Sequence, residues 1–112
     1  MKIGKLPESV LIRSVLKEVG HRRAEVLVGP SVGQDCAVLE AREGEVLVLS
    51  SDPITGTTKD IGSHSVYITA NDLAASGAEP VGIMLTILLT PDTEEAELKN
   101  MMRGVEKTCK EL

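Results

Sequence analysis

Three aspartates stand where chains tend to build sites. Asp35 follows a loop with two glycines, Gly29-Pro30-Ser31-Val32-Gly33-Gln34, and precedes an apolar run. Asp52 closes another apolar run, immediately before Pro53, and Asp72 follows Asn71 inside a stretch of small and apolar residues. Strand ends and loops are the usual places for binding groups. Converging carboxylates need a partner, commonly a divalent cation. Magnesium takes only one or two carboxylates and completes its shell with water and phosphate oxygens, so three acids around a nucleotide would suit one or two such ions. Each residue also has a plainer reading. Asp35 can be a turn residue and Asp52 an ordinary strand-ending acid. Asn71-Asp72 can be a solvated helix face, although two polar residues between Ala70 and Leu73 cost stability unless they are satisfied. Spacing alone does not bring the three together.

The remaining reactive residue types offer less. The Gly29 to Gly33 loop lacks the Lys-Ser/Thr of a Walker A loop and does not fit G-x-G-x-x-G, so a tight turn is its better reading. His21 and His64 are isolated. There is no CxxC and no Cys/His cluster to hold zinc. Cys36 and Cys109 lie on apolar patterns and are expected to be buried thiols. Met84, Met101 and Met102 are expected in the core.

These residues must be positioned by alternating strands and helices. Residues 7–19 predict a helix that opens at Pro7, carries Leu11, Ile12, Val15, Leu16 and Val19 on one stripe, and stops at Gly20. Residues 25–28 predict a short strand. Residues 36–40 and 45–50 predict a hairpin around the polar turn Arg42-Glu43-Gly44. Pro53 disfavours helix at Asp52, which places that carboxylate where a strand hands over to a loop. Residues 61–76 predict a helix ended by Gly77. Residues 81–89 predict a strand buried on both faces, because alternation is weak there. Thr90-Pro91-Asp92-Thr93 reads as a turn leading into a last helix, with Asp92 and Glu95 resembling a capping box. That helix carries Leu98, Met101, Met102, Val105, Cys109 and Leu112 on one stripe, and no Gly, Asn or Pro closes it, as expected of a chain cut near an element's end.

Composition sets the class. The chain has 112 residues, one domain's worth, and is 42% apolar. Tyr67 is the only aromatic residue. Aromatics bury the most area per residue, so the core is thin and its burial is expected to be completed by another domain or subunit. A net charge of −5 without a basic run argues against nucleic acid and against an acidic membrane surface. No apolar run is long enough for a membrane-spanning helix, and no signal peptide precedes Pro7, so a cytoplasmic protein with free thiols is expected.

Taken in order, the motifs resemble a family. Gly33-Gln34-Asp35-Cys36-Ala37-Val38 resembles the Gly-x-Asp-x-Ala-hydrophobic signature of the AIR synthase-like (PurM-like) superfamily. Ser51-Asp52-Pro53-Ile54 resembles its second signature. Ala70-Asn71-Asp72-Leu73-Ala74-Ala75-Ser76-Gly77-Ala78-Glu79-Pro80 resembles its third and most distinctive one. The superfamily includes AIR synthetase, formylglycinamidine ribonucleotide synthetase, selenophosphate synthetase, thiamine-monophosphate kinase and the hydrogenase-maturation carbamoyl dehydratase. Asp52-Pro53-Ile54-Thr55, Asp60-Ile61-Gly62 and the Asn-Asp motif look most like the last of these or its uncharacterised relatives.

The resemblance implies an α/β domain with a mixed sheet, helices packed on one face, and strands that join a dimeric barrel. Residues 1–112 would be the N-terminal ATP-binding and dimerisation domain, with the C-terminal domain absent from this chain. It implies ATP and Mg2+ as cofactors. Gly33, Asp35, Asp52, Asn71 and Asp72 would lie at the phosphates, and Asp35, Asp52 and Asp72 would carry the metal. The implied partners are a second copy, ATP, and a small-molecule or protein-thiol acceptor activated by phosphoryl transfer, a carbonyl or amide in most members. Two departures narrow this. Gln34 replaces an acid found in several members, and the glycine-rich segment with catalytic Cys and Lys of selenophosphate synthetases has no counterpart. The acceptor cysteine of the carbamoyl dehydratases lies at their far C-terminus, so Cys109 is not its equivalent. The alternative is a non-catalytic dimerisation module that keeps the fold.

Overall fold

The architecture rests on two long helices, described here in a computed structural model that covers residues 4–55 and 60–112. The expected leader-free start therefore lies partly outside the described residues. Helix α3 (Glu95–Glu111) is strongly amphipathic and buries Leu98, Met102, Val105 and Thr108, the three- and four-residue spacing of one helix face. Helix α2 (Ile61–Ala75) is small and apolar over much of its length and buries Gly62 and Val66 against α3. The two approach closely where side chains vanish. A Cβ on Gly62 would overlap the Met101 carbonyl oxygen, and Ser63 Oγ donates to the Gly104 carbonyl at 3.1 Å. Among the described residues the fully buried apolar side chains are Val66, Leu98, Met102 and Val105, a core as thin as the composition requires.

The first helical segment begins after Pro7 as α1 (Glu8–Val10), widens into a π-helical turn (Leu11–Val15) and tightens into a 3-10 turn (Leu16–Glu18). It is held to α3 by polar contacts. Arg13 grips Glu95 with two nitrogens, the Nη2–Oε2 bond being 2.8 Å, and the buried Ser14 hydroxyl donates to the same carboxylate. Arg103 Nε donates to Glu18 at 3.1 Å, and Glu106 accepts the backbone N–H of Gly20 and His21.

Helix α2 ends as its sequence predicts. Gly77 sits at φ 74°, its N–H bonds the Ala74 carbonyl and the Ala78 N–H bonds the Leu73 carbonyl, the two bonds of a Schellman motif. Arg23 then fastens the following turn, donating to Glu79 and the Pro80 carbonyl from Nη1 and to Glu25 from Nη2.

The sheet differs from expectation. Strand β1 (Val26–Val28) pairs antiparallel with β2 (Val38–Leu39), and Glu40 N–H extends the contact to the Glu25 carbonyl at 2.7 Å. Residues 36–40 therefore pair backwards in sequence, not with 45–50. The Arg42–Glu45 turn forms as expected, but residues 45–50 join no ladder among the described residues. Two apolar runs around a turn signal a hairpin, yet tertiary contact decides which run becomes the partner. The observed sheet is two antiparallel strands, where a mixed sheet was expected.

Residues 81–89 likewise carry no ladder, and their burial is one-sided. Val81, Ile83, Ile87 and Leu89 are half-buried, whereas Met84 and Leu88 are 90% and 91% exposed. Expected burial on both faces is thus corrected, and Met84 is not a core residue. Within the chain this segment is covered on one side, with Val26 of β1 lying against Gly82. It leaves a hollow of about 1060 Å³ lined by Val15, Val66, Leu73, Ile83 and Leu98 among others. Val46 and Leu49 are each 86% exposed.

Two further expectations fail. The capping box is absent: Glu94 is the N-cap, without a side-chain cap bond, because Glu95 is turned to Arg13 and Ser14. Asp92 instead lies against Thr90, whose side chain holds its carboxyl below the usual range. Cys36 is exposed, since the loop ahead of β2 faces solvent on the whole. Cys109 is half-buried, and that burial raises its thiol pKa.

Candidate functional site

Asp72 lies in the last turns of α2, where the Gly77 cap and the Arg23 clamp fix the helix end. Its Oδ2 accepts a hydrogen bond from Ser50 Oγ at 3.1 Å. Asp52, two residues beyond Ser50, brings its carboxyl group within hydrogen-bonding reach of the same aspartate. One chain segment thus delivers a hydroxyl and a carboxyl to a carboxylate on the helix.

The electrostatics follow from this contact. The hydrogen bond with Asp72, and then its charge, push the Asp52 carboxyl above the usual range. Asp72 is held below it by the hydrogen bonds from Asp52 and Ser50. Two carboxyl groups this close hold one proton between them or need a cation in its place. Both are exposed, so a ligand can reach them from solvent.

The other expected site residues are placed separately. Gly33 lies in the turn closed by the Gln34 N–H to Ser31 carbonyl bond. Asp35 follows on the exposed loop, where Gln34 Nε2 donates to the Cys36 carbonyl at 2.9 Å. Asn71 is exposed beside Asp72. Among the described residues no three His, Cys, Asp or Glu side chains gather closely enough to hold a metal. The structure therefore joins Asp52 to Asp72 and leaves Asp35 apart. Sequence reasoning missed Ser50. Its only signal was a hydroxyl two residues before Asp52, on the same run.

A magnesium ion fits the pair on chemical grounds. Its usual protein share is one or two carboxylates, with phosphate oxygens and water completing the shell. The pair supplies two carboxylates, one already held below its usual range. His64 belongs to a different hollow of about 570 Å³, with Tyr67, Lys107 and Glu111 at the far end of the α2–α3 pair. No helix among the described residues is long and apolar enough to cross a membrane.

Known proteins resemble this chain over the region that holds these residues. The family described as AIR synthase related protein, N-terminal domain, matches residues 33–112. The thiamine-monophosphate kinase of Escherichia coli (strain K12) is 31% identical over 101 residues, covering 83% of this chain and 30% of that protein. Its counterpart in Synechococcus elongatus is 32% identical over 88 residues, covering 70% and 27%. That of Methanospirillum hungatei is 41% identical over 83 residues, covering 67% and 28%. The chain spans under a third of the length of these relatives. No solved structure matches. The matched region runs from the Gly33 turn through Asp35, Asp52 and Asp72 to the end of α3, and by that match the chain belongs to the AIR synthase related protein family, in its N-terminal domain.

Proposed function

We propose that this chain is the ATP- and magnesium-binding N-terminal domain of an enzyme that transfers a phosphoryl group to an acceptor. The observation that carries the reading is the Asp52–Asp72 pair, held by Ser50 at the end of α2. Asp52 and Asp72 would hold the metal on the phosphate side, with Asn71 beside them. Gly33 and Asp35 would approach the phosphates from the loop before β2, Asp35 adding a third metal contact once the nucleotide is bound. Magnesium bound there supplies charge neutralisation on the phosphates. The chain's own contribution is positioning: a capped helix end presents one carboxylate and the 45–50 segment presents the other.

The relatives' name favours one class of acceptor. A thiamine-monophosphate kinase phosphorylates a phosphate monoester, so a phosphate ester is favoured here over the carbonyl or amide of a carbamoyl dehydratase. Val46, Leu49, Met84 and Leu88 expose apolar surface on the two runs without ladders, and pairing them with a second copy would complete a barrel-like dimer. That same surface favours the second reading, a dimerisation module without chemistry.

Calorimetry separates the two. ATP is titrated with and without magnesium into wild type and Asp72→Asn, in the longest form of the protein. Magnesium-dependent binding that the variant loses supports the enzyme reading. A folded, dimeric wild type that binds no ATP refutes it and leaves the module.

A further inference from the structure

The loop that leads to Asp35 contains two glycines, and they serve different ends. Gly33 stands at φ 75°, where glycine is favoured for its conformation. Gly29 has no left-handed φ, so its backbone does not call for glycine. What lies against it is Arg22. A Cβ on Gly29 would come within 3.2 Å of Arg22 Nη1 and 3.7 Å of Arg22 Cδ. The missing side chain lets the arginine lie along the first residue of the loop.

The backbone beside Arg22 is anchored in both directions. Glu106 accepts the N–H of Gly20 at 3.2 Å and that of His21 at 2.7 Å. Arg23 is fastened to Glu79, to the Pro80 carbonyl and to Glu25. Arg13, Arg23 and Arg103 each pair with a glutamate. Arg22, between the anchors, is exposed and pairs with no carboxylate among the described residues. It lines the same hollow as Ser31, Gln34 and Asp35.

We propose that Arg22 is a phosphate-binding residue on the Gly29–Asp35 side of the site. This rests on the reading of that loop as an approach to the phosphates. An arginine stays charged, and its planar fork offers two parallel N–H donors to phosphate oxygens. Asp35 meets a phosphate only through a metal, whereas Arg22 meets it directly. The carboxylates of Asp35, Asp52 and Asp72 repel a polyphosphate, and an arginine not already spent on a glutamate offsets that repulsion beside the metal. The phosphate belongs to the nucleotide or to a phosphate-ester acceptor, since both present the same oxygens.

The test uses wild type, Arg22→Gln, Arg22→Lys and Gly29→Ala in the longest form of the protein. Each is titrated with magnesium-ATP, then with inorganic phosphate after loading with a non-hydrolysable ATP analogue and magnesium. Mn2+ binding without nucleotide and thermal melting accompany each. Loss of hydrogen bonds to a charged group costs on the order of 10–100-fold in affinity, and that loss is expected for Arg22→Gln. Arg22→Lys keeps the charge without the fork and should recover part of it. Gly29→Ala keeps the arginine but crowds Nη1, so it should weaken binding less than Arg22→Gln does. Mn2+ affinity and melting temperature should stay at wild-type values, because Arg22 is exposed and binds no metal. Weakened ATP binding assigns the contact to the nucleotide. Unchanged ATP binding with weakened phosphate binding assigns it to the acceptor. Wild-type affinity for both ligands in Arg22→Gln, or a parallel fall in Mn2+ binding and melting temperature, overturns the proposal and leaves the functional reading standing. A folded wild type that binds neither ATP nor phosphate overturns that reading, and this inference with it.

Discussion

Replacing Gly62 by alanine puts a methyl group where α2 and α3 touch. The new Cβ would overlap the Met101 carbonyl oxygen and lie 3.0 Å from the Met101 carbonyl carbon and 3.2 Å from Val105 Cγ2. The oxygen belongs to a hydrogen-bonded helix backbone and cannot swing aside, so the helices must open by about 1 Å to reach an ordinary contact distance. Val66, Leu98, Met102 and Val105 share that contact and loosen together. Overpacking costs about 1–3 kcal/mol, and an unyielding backbone places this case near the top. Alanine returns about 1 kcal/mol through better helix propensity. The net expectation is about 2 kcal/mol of destabilisation, or about 8–16 °C in melting temperature for a domain of this size. Urea unfolding followed by circular dichroism measures it, with Gly20→Ala as the control because nothing lies within 4 Å of that position. Gly62→Ala as stable as wild type would refute the close crossing. Because α2 carries Asp72 at its other end, the same variant should also weaken magnesium-dependent ATP binding.

Three other expectations follow from single contacts. Arg13, then Ser14, hold the Glu95 carboxyl at about 2, well below its ordinary 4.5. The clamp's stability is therefore fully present above pH 4.5 and lost as the pH falls toward 2, and Glu95→Gln should flatten the melting temperature across that interval. Gly77→Ala forces a side chain into φ 74° at the Schellman cap and should cost about 1 kcal/mol in urea unfolding. Met84→Lys with Leu88→Lys should abolish self-association in sedimentation velocity without lowering the melting temperature of the monomer, since both side chains already face solvent. An unchanged sedimentation coefficient would show that this face pairs with nothing.

The helices were legible because their signals are local. The spacing of Leu98, Met102 and Val105, the Pro7 start and the Gly77 stop each lie within a turn or two of what they specify. The sheet was not, because a strand is defined by its partner. Residues 45–50 and 81–89 have strand composition, but nothing in their sequence says whether a ladder will cover them. Helix entry was misjudged for a related reason: Glu95 fits a capping box by spacing, but an arginine eighty-two residues away takes its carboxylate. Cys36 and Met84 were placed inside on apolar pattern alone, which cannot tell a covered face from an uncovered one. At the site, the sequence marked Asp52 and Asp72 individually. Their contact, and Ser50's part in it, depend on packing between segments twenty residues apart.

The site and the uncovered surface share one segment. Asp72 is anchored on a helix whose crossing with α3 and whose Gly77 cap make it rigid. Ser50 and Asp52 instead belong to the run that exposes Val46 and Leu49 and joins no ladder among the described residues. One half of the carboxylate pair is thus held by the core, and the other by a segment whose own apolar side chains remain to be covered. Covering that run would restrict the positions of Ser50 and Asp52, and so hold the pair in register. Linkage requires the converse by the same factor: a ligand that fixes Asp52 against Asp72 must favour whatever covers Val46 and Leu49. In the proposed reading, assembly and nucleotide binding would then share that one restraint. Each should be strengthened by the other, and a variant that breaks the Ser50–Asp72 bond should uncouple them while leaving both individually measurable.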